Sequence, residues 1–227
     1  MDPTLPMFPL NTVTFPGLTV PLNVFEDRYR ALVRHLLEIE DPAERMFGTV
    51  AIREGYEVGD HGAQSLFRVG VRLRLTEATE RPDGTFGIVA VGVDRFDLER
   101  LAPHPEGKFP LGAVLARPEL DGGPDGGVGE ELLQQARSTF TAYRVALAEL
   151  QADPWEGRLP QDPSWLSWAL AAGAPLPLPD RQELLETDDP AQRLGHVVDL
   201  LREELRAMNV IPSLPATEVA RTRWSPN

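Results

Sequence analysis

Cysteine is absent from the 227 residues, which excludes a disulfide framework, a thiolate nucleophile and any zinc or iron-sulfur site built on sulfur ligands. Lysine is almost absent. Lys108 is the sole one and Phe109 follows it, so the Gly-Lys-Ser/Thr sequence of a phosphate-binding loop does not occur. Serine-lysine catalysis would need Lys108 desolvated beside a serine, yet Glu106 to Pro110 reads as an exposed loop between strands. No serine sits in a Gly-x-Ser-x-Gly elbow. Long apolar runs are missing as well. The most apolar stretch, Trp165 to Pro179, is short and broken by glycine and proline, and Met1-Asp2-Pro3-Thr4 lacks the basic start of a secretory signal. A cytoplasmic chain with no membrane partner is expected.

Positive charge is also in deficit. Basic residues number 22 against 35 acidic, a net charge of −13. Divided at Pro118, the counts are 13 against 17 (−4) and then 9 against 18 (−9). Neither part favours nucleic-acid phosphates or anionic lipid. His35, His61, His104 and His196 form no metal-ligand spacing and read as ordinary surface or half-buried histidines. The acidic pairs Asp188-Asp189 and Glu203-Glu204 suit helix capping and a wet helix face better than acid–base chemistry. No metal, cofactor or catalytic residue is assigned.

What is present is an ordinary globular composition, 42% hydrophobic and 25% charged, with enough chain to bury a core. Leu5 to Pro118 carries strand-like alternation. In Arg68-Val-Gly-Val-Arg-Leu-Arg-Leu75, Val69, Val71, Leu73 and Leu75 point one way and Arg68, Arg72 and Arg74 the other, giving one dry face and one wet face. Pro82-Asp83-Gly84 then turns the chain into Phe86 to Val93. Phe47 to Ile52 and Leu111 to Ala116 are further strands. One helix interrupts them: Asn23 and Glu26 are spaced as a capping box before Tyr29, Leu32, Val33, Leu36 and Leu37. Several short strands in so short a length favour a closed or nearly closed barrel, which the helix plugs or flanks.

Five glycines within Asp121 to Gly129 mark a connector. Beyond it Leu133, Ala136, Phe140, Tyr143, Leu147 and Leu150 form one helical stripe. Ser164 is placed to cap a helix holding Trp165 and Trp168, Asp180 with Glu183 to start another, and Asp189-Pro190 to start one bearing Leu194, Val197, Val198, Leu201 and Leu205. Trp155, Trp165 and Trp168 read as bundle core rather than a binding platform. The expected fold class is α+β: a small antiparallel β-barrel with an inserted helix over 1–118, a Gly-rich linker over 119–129, an α-helical bundle over 130–208, and a Pro-rich tail over 209–227 that contains Trp224.

The run Leu5-Pro-Met-Phe-Pro-Leu10, followed by Val13-Thr-Phe-Pro-Gly17, Pro21-Leu22 and Phe25-Glu-Asp-Arg-Tyr29, resembles the start of the substrate-binding domain of Lon proteases. Phe47-Gly48, Val69-Gly70, the Pro82-Asp83-Gly84 turn and Gly92-Val-Asp-Arg95-Phe96 continue the resemblance, as do Asp180 to Glu186 and Arg193-Leu194. It covers about residues 5 to 208. It implies a PUA-like barrel followed by helices, in a stand-alone N-terminal domain protein lacking the family's ATPase and peptidase parts. The function it implies is non-enzymatic binding of unfolded or hydrophobic polypeptide segments, or of a specific protein partner, in protein quality control. A groove between barrel and bundle is the expected place, with Phe15, Leu22, Phe25, Arg28, Tyr29, Arg95 and Phe96 as candidate contacts. Phe15-Pro16-Gly17 and Pro21 also set the path of a turn. Arg28 and Arg95, each beside an aromatic residue, can stack, pair internally or receive a peptide carbonyl. The alternative reading is a small-molecule or RNA-binding PUA-like domain.

Overall fold

The computed structural model describes residues 4–53, 66–120, 127–149 and 158–210. The chain divides into two compact units, Met1–Pro118 and Glu119–Asn227.

The first unit holds six strands: β1 (Thr4–Pro6), β2 (Thr19–Val24), β3 (Met46–Ile52), β4 (Leu66–Glu80), β5 (Phe86–Pro103) and β6 (Pro110–Arg117). They pair antiparallel in the order β1-β6-β5-β4-β3, and β2 lies beside β5. Beyond β1 the chain makes parallel bridges Met7↔Gly48 and Leu10↔Ala51 to β3, so the two ends of the strand order meet and the sheet closes. Closure explains why β3 is buried on both faces.

Closure also alters the sidedness that alternation implies. Val69, Val71, Leu73 and Leu75 are buried and Arg68 is exposed, as the alternation suggests. Gly70, on the arginine face, is instead covered: a Cβ there would lie 2.6 Å from Val50 Cγ1 and 2.7 Å from the Phe96 ring. The bend of the sheet turns this part of the wet face into a second core of Leu5, Met7, Val50, Phe96, Leu98 and Val114.

Helix α1 (Asp27–Leu37) buries Tyr29, Leu32, Val33 and Leu36, while Leu37 remains exposed. Its amino-terminal cap is Glu26, with no side-chain hydrogen bond, rather than Asn23. Asn23 lies inside β2 opposite Gly87, where its side chain accepts from Arg81 at 2.6 Å; pairing with β5 takes priority over the capping geometry. The helix flanks the sheet. Arg30 reaches the Gly84 carbonyl at 3.3 Å, Arg34 pairs with Glu80 at 2.8 Å, and His35 faces the Phe109 ring at 5.2 Å.

The second unit contains α2 (Glu130–Ala148), α3 (Pro163–Gly173), α4 (Leu178–Glu186) and α5 (Pro190–Val210). Ala136, Phe140, Tyr143 and Leu147 are the buried stripe of α2, and Leu194, Val197, Val198 and Leu201 that of α5. Leu133 is half-buried, and Leu150 lies outside the described residues. Asp189 accepts from the Ala191 amide at 2.7 Å and caps α5 ahead of Pro190, whose missing N–H costs nothing in a first turn. Helix α3 starts earlier than Ser164 suggests, because Asp162 accepts from the Trp165 amide at 3.0 Å and is the cap. Asp180 lies within the first turn of α4, which Pro177 caps without a side-chain bond.

Candidate functional site

The seven candidate contacts all belong to the first unit, in two settings. Phe15, Tyr29, Arg95 and Phe96 are 1% to 3% exposed. Leu22 and Arg28 are half-buried, and Phe25 is 39% exposed. The surface set therefore reduces to the stretch where β2 passes into α1.

The buried four hold the unit together. Gly17 takes a positive φ of 78° and its N–H donates to the Gly92 carbonyl at 2.9 Å, which folds the Phe15-Pro16-Gly17 turn onto β5. A Cβ on Gly92 would collide with the Phe15 carbonyl, so close backbone approach demands glycine here. Phe96 packs in the second core. Arg95 donates to the Pro118 carbonyl at 3.3 Å, tying mid-β5 to the end of the unit. Tyr29 stacks on Phe8 at 4.1 Å between ring centroids, and the Arg28 guanidinium covers it at 4.6 Å. Glu26 holds that guanidinium at 2.9 Å. Arg28 thus acts internally, as lid to the tyrosine, while its edge remains partly in solvent.

In β2 Val20 and Leu22 are half-buried, and Phe25 just beyond it is exposed. Val20 and Leu22 share one face of β2 by strand alternation. Pro21, on the opposite face, is registered with Val89, itself half-buried. Val24 continues that face and is buried, so the partly exposed apolar surface of this stretch consists of Val20 and Leu22 on one face of β2 and, separately, Phe25 just before α1.

Other charged groups are engaged elsewhere. Arg68 donates to the carbonyls of Leu98 and Glu99 at 3.0 and 2.8 Å, Arg72 pairs with Asp94, and Arg117 with Asp97 at 2.9 Å. Lys108 is exposed and paired with Glu106 at 2.5 Å, an arrangement that raises the ammonium pKa and lowers that of the carboxyl. Among the described residues no group of three or more His, Cys, Asp or Glu side chains is placed to hold a metal ion. His35 and His104 flank Phe109, His196 lies 3.9 Å from Glu183, and His61 is outside the described residues.

The sequence profile of the ATP-dependent protease La (LON) substrate-binding domain matches residues 4–203. The chain belongs to the Lon substrate-binding domain family. The Lon protease of Anaeromyxobacter dehalogenans is 29% identical over 225 residues, 96% of this chain and 26% of its own length. The Lon protease of Escherichia coli (strain K12) is 26% identical over 208 residues, 91% of this chain and 25% of its own. The chain therefore spans about a quarter of the length of these Lon proteases. The crystal structure of a Lon N-terminal domain protein from Xanthomonas campestris superposes with a TM-score of 0.63 at 25% identity, covering 87% of this chain and 98% of that one. The N-terminal domain of a Mycobacterium avium complex Lon protease gives the same TM-score at 20% identity, a likeness of fold. An antiparallel sheet followed by helices is thus the architecture this chain has in common with Lon N-domains.

Arg193 and Glu119 form an ion pair within the second unit. Arg193 is fully buried. It donates to Ser167 Oγ at 2.7 Å, to the Thr187 carbonyl at 2.6 Å and to Glu119 Oε2 at 2.6 Å, with its carbon centre 3.3 Å from the Trp168 ring centroid. Glu119 and Leu120, inside the segment expected to be linker, are held in the second unit: Glu119 by Arg193 and Leu120 through its N–H to the Asp188 carbonyl at 3.2 Å. The sequence signal was the Arg193-Leu194 match; its partner, 74 residues away, has none. Trp168 is core, Trp165 is exposed, and Trp155 and Trp224 lie outside the described residues.

Proposed function

We propose that this chain is a non-catalytic recognition module that binds hydrophobic segments of unfolded polypeptides on its first unit, at the stretch where β2 passes into α1, with Val20, Leu22, Phe25 and Arg28 as contacts. The observation that carries the proposal is the apolar surface that Val20, Leu22 and Phe25 leave partly in solvent where β2 passes into α1, in a domain whose family is defined by substrate binding. Apolar side chains set along one strand suit an extended chain, and the arginine edge offers a donor to a peptide carbonyl or carboxylate. The engagement of Arg68, Arg72 and Arg117 by carbonyls and carboxylates speaks against a phosphate-binding face. By extension from its Lon relatives, the segments bound are those destined for proteolysis, and the chain serves protein quality control in the cytoplasm.

Fluorescence anisotropy of a labelled, permanently unfolded polypeptide tests this, with the same chain in a folded form as control. Saturable binding of the unfolded chain is expected, weakened several-fold by Phe25→Ser and by Leu22→Ser. Leu115→Ser, which alters a more exposed apolar residue on β6, is expected to leave it unchanged. Absence of binding up to about 1 mM, equivalent to roughly −4 kcal/mol, overturns the reading. Tyr29 and Phe96 variants would report on folding, since both side chains are core.

A further inference from the structure

Strand β2 has one neighbour, β5, and among the described residues no strand pairs with its other edge. Which backbone groups face that edge follows from one bond. The Gly92 N–H donates to the Leu18 carbonyl at 2.9 Å while the Gly92 carbonyl accepts from the Gly17 N–H, a bulge in which Gly17 and Leu18 together face Gly92 and the Leu18 carbonyl points to β5 immediately before Thr19↔Val91. Because antiparallel pairs alternate, Val20, Leu22 and Val24 bond to β5, whereas the backbone of Thr19, Pro21 and Asn23 points outward. Proline sits where its missing N–H leaves the β2–β5 ladder intact. The outer edge therefore presents carbonyls at all three positions and N–H groups at Thr19 and Asn23.

We infer that this edge takes up a further β-strand, an extended segment of neutral or basic polypeptide with apolar residues at alternate positions. The inference rests on the polypeptide-binding reading and specifies its geometry: backbone pairing to Thr19, Pro21 and Asn23, with the apolar side chains laid beside Val20 and Leu22. Six residues of β2 offer about 20 Å of edge at roughly 3.3 Å per residue, room for a hexapeptide. Two features favour a foreign strand over a second copy of β2. Self-pairing would set a proline on both edges and lose a donor twice, where a foreign strand loses one. Two copies would each bring a net charge of −13, which opposes self-association and favours an uncharged or basic occupant.

The test uses the whole chain and a fluorescein-labelled peptide, Arg-Val-Ser-Leu-Thr-Val-Ser-Arg, in three forms: unmodified, and N-methylated at every second amide in each of the two alternating sets. Strand addition uses one edge of the peptide. Methylating that edge is expected to weaken binding about tenfold or more, and methylating the other to leave it within about twofold. Equal binding of all three forms overturns edge pairing while leaving polypeptide recognition standing; no binding of the unmodified peptide overturns both. In the protein, Thr19→Pro is expected to keep the thermal midpoint and lose about tenfold in affinity. If Thr19→Pro does not fold, the methylation series decides alone. Sedimentation equilibrium without peptide is expected to show a monomer. A dimer that Thr19→Pro dissociates assigns the edge to a second copy and overturns the inference.

Discussion

At the scale of single residues, the arginines divide the labour. Arg193 is fully buried among a hydroxyl, a carbonyl, the Glu119 carboxylate and the Trp168 face. A charge so placed is retained only while every partner is present, because desolvation is offset by those contacts alone. Arg193→Met is expected to destabilise the chain by about 3–5 kcal/mol in urea unfolding, and Arg193→Met with Glu119→Leu to recover much of that loss. Gly92→Ala must displace backbone rather than a pliant side chain, so a loss of about 1–3 kcal/mol is expected by the same measurement. Glu204 carries a pH dependence. Burial chiefly, then the charges of Asp180 and Glu203, push its carboxyl above the ordinary range. The native state thus holds this proton to higher pH than the unfolded chain, and the residue's contribution becomes unfavourable as pH rises through the interval between the two. Glu204→Gln should raise the thermal midpoint at pH 7, with the difference vanishing below the ordinary carboxylate range. Phe15, Tyr29, Arg95 and Phe96 were recognisable in the sequence as residues that matter, through their place in the family pattern. Whether they touch a ligand or the core was not recognisable, because a motif records that a side chain is constrained and not what constrains it.

Secondary-structure elements were legible wherever a period ran for several residues. The alternation of Val69 to Leu75 and the stripe Ala136, Phe140, Tyr143, Leu147 both coincide with buried faces. Element ends were less legible. Asn23 and Ser164 both have capping chemistry, yet Asn23 is taken by strand pairing with β5, and Asp162, with Pro163 at the first helical position, wins the cap of α3 from Ser164. Local hydrogen-bonding ability is shared by several neighbouring polar residues, and the choice among them is made by the chain's path on either side. The cap assignment has a measurable consequence. Asp162→Ala is expected to cost about 1 kcal/mol in chemical unfolding through loss of the bond to the Trp165 amide, within the roughly 0.5–2 kcal/mol usual for such caps. Strand β2 illustrates the same limit from the other side: Pro21 weakens any local case for a strand, and only its neighbour β5 makes sense of a proline whose missing donor faces away from the ladder.

For the molecule as a whole, the division between Pro118 and Glu119 gives each unit its own core, and the proposed site lies wholly within the first. A fragment of residues 1–118 is therefore expected to unfold cooperatively on its own and to bind the unfolded polypeptide with an affinity close to that of the full chain. Circular dichroism melting and the anisotropy titration check this; a folded fragment that no longer binds would move the site out of the first unit. With a net charge of −13, binding of basic segments should weaken as salt rises, while binding of neutral ones changes little. By itself the sequence determined the α+β class and the order of sheet then helices, because these follow from composition, from periods of two and 3.6, and from glycines and prolines whose constraints are local, while the family followed from the resemblance of its motifs. Only the tertiary structure decided that the arginine face of β4 turns into a second core, that Glu119 closes on Arg193, and that of seven candidate contacts Leu22, Phe25 and Arg28 reach the surface. Each of these depends on which distant segments pack together, and that choice belongs to the closing of the sheet and the assembly of the helices, where residues far apart in the chain first meet.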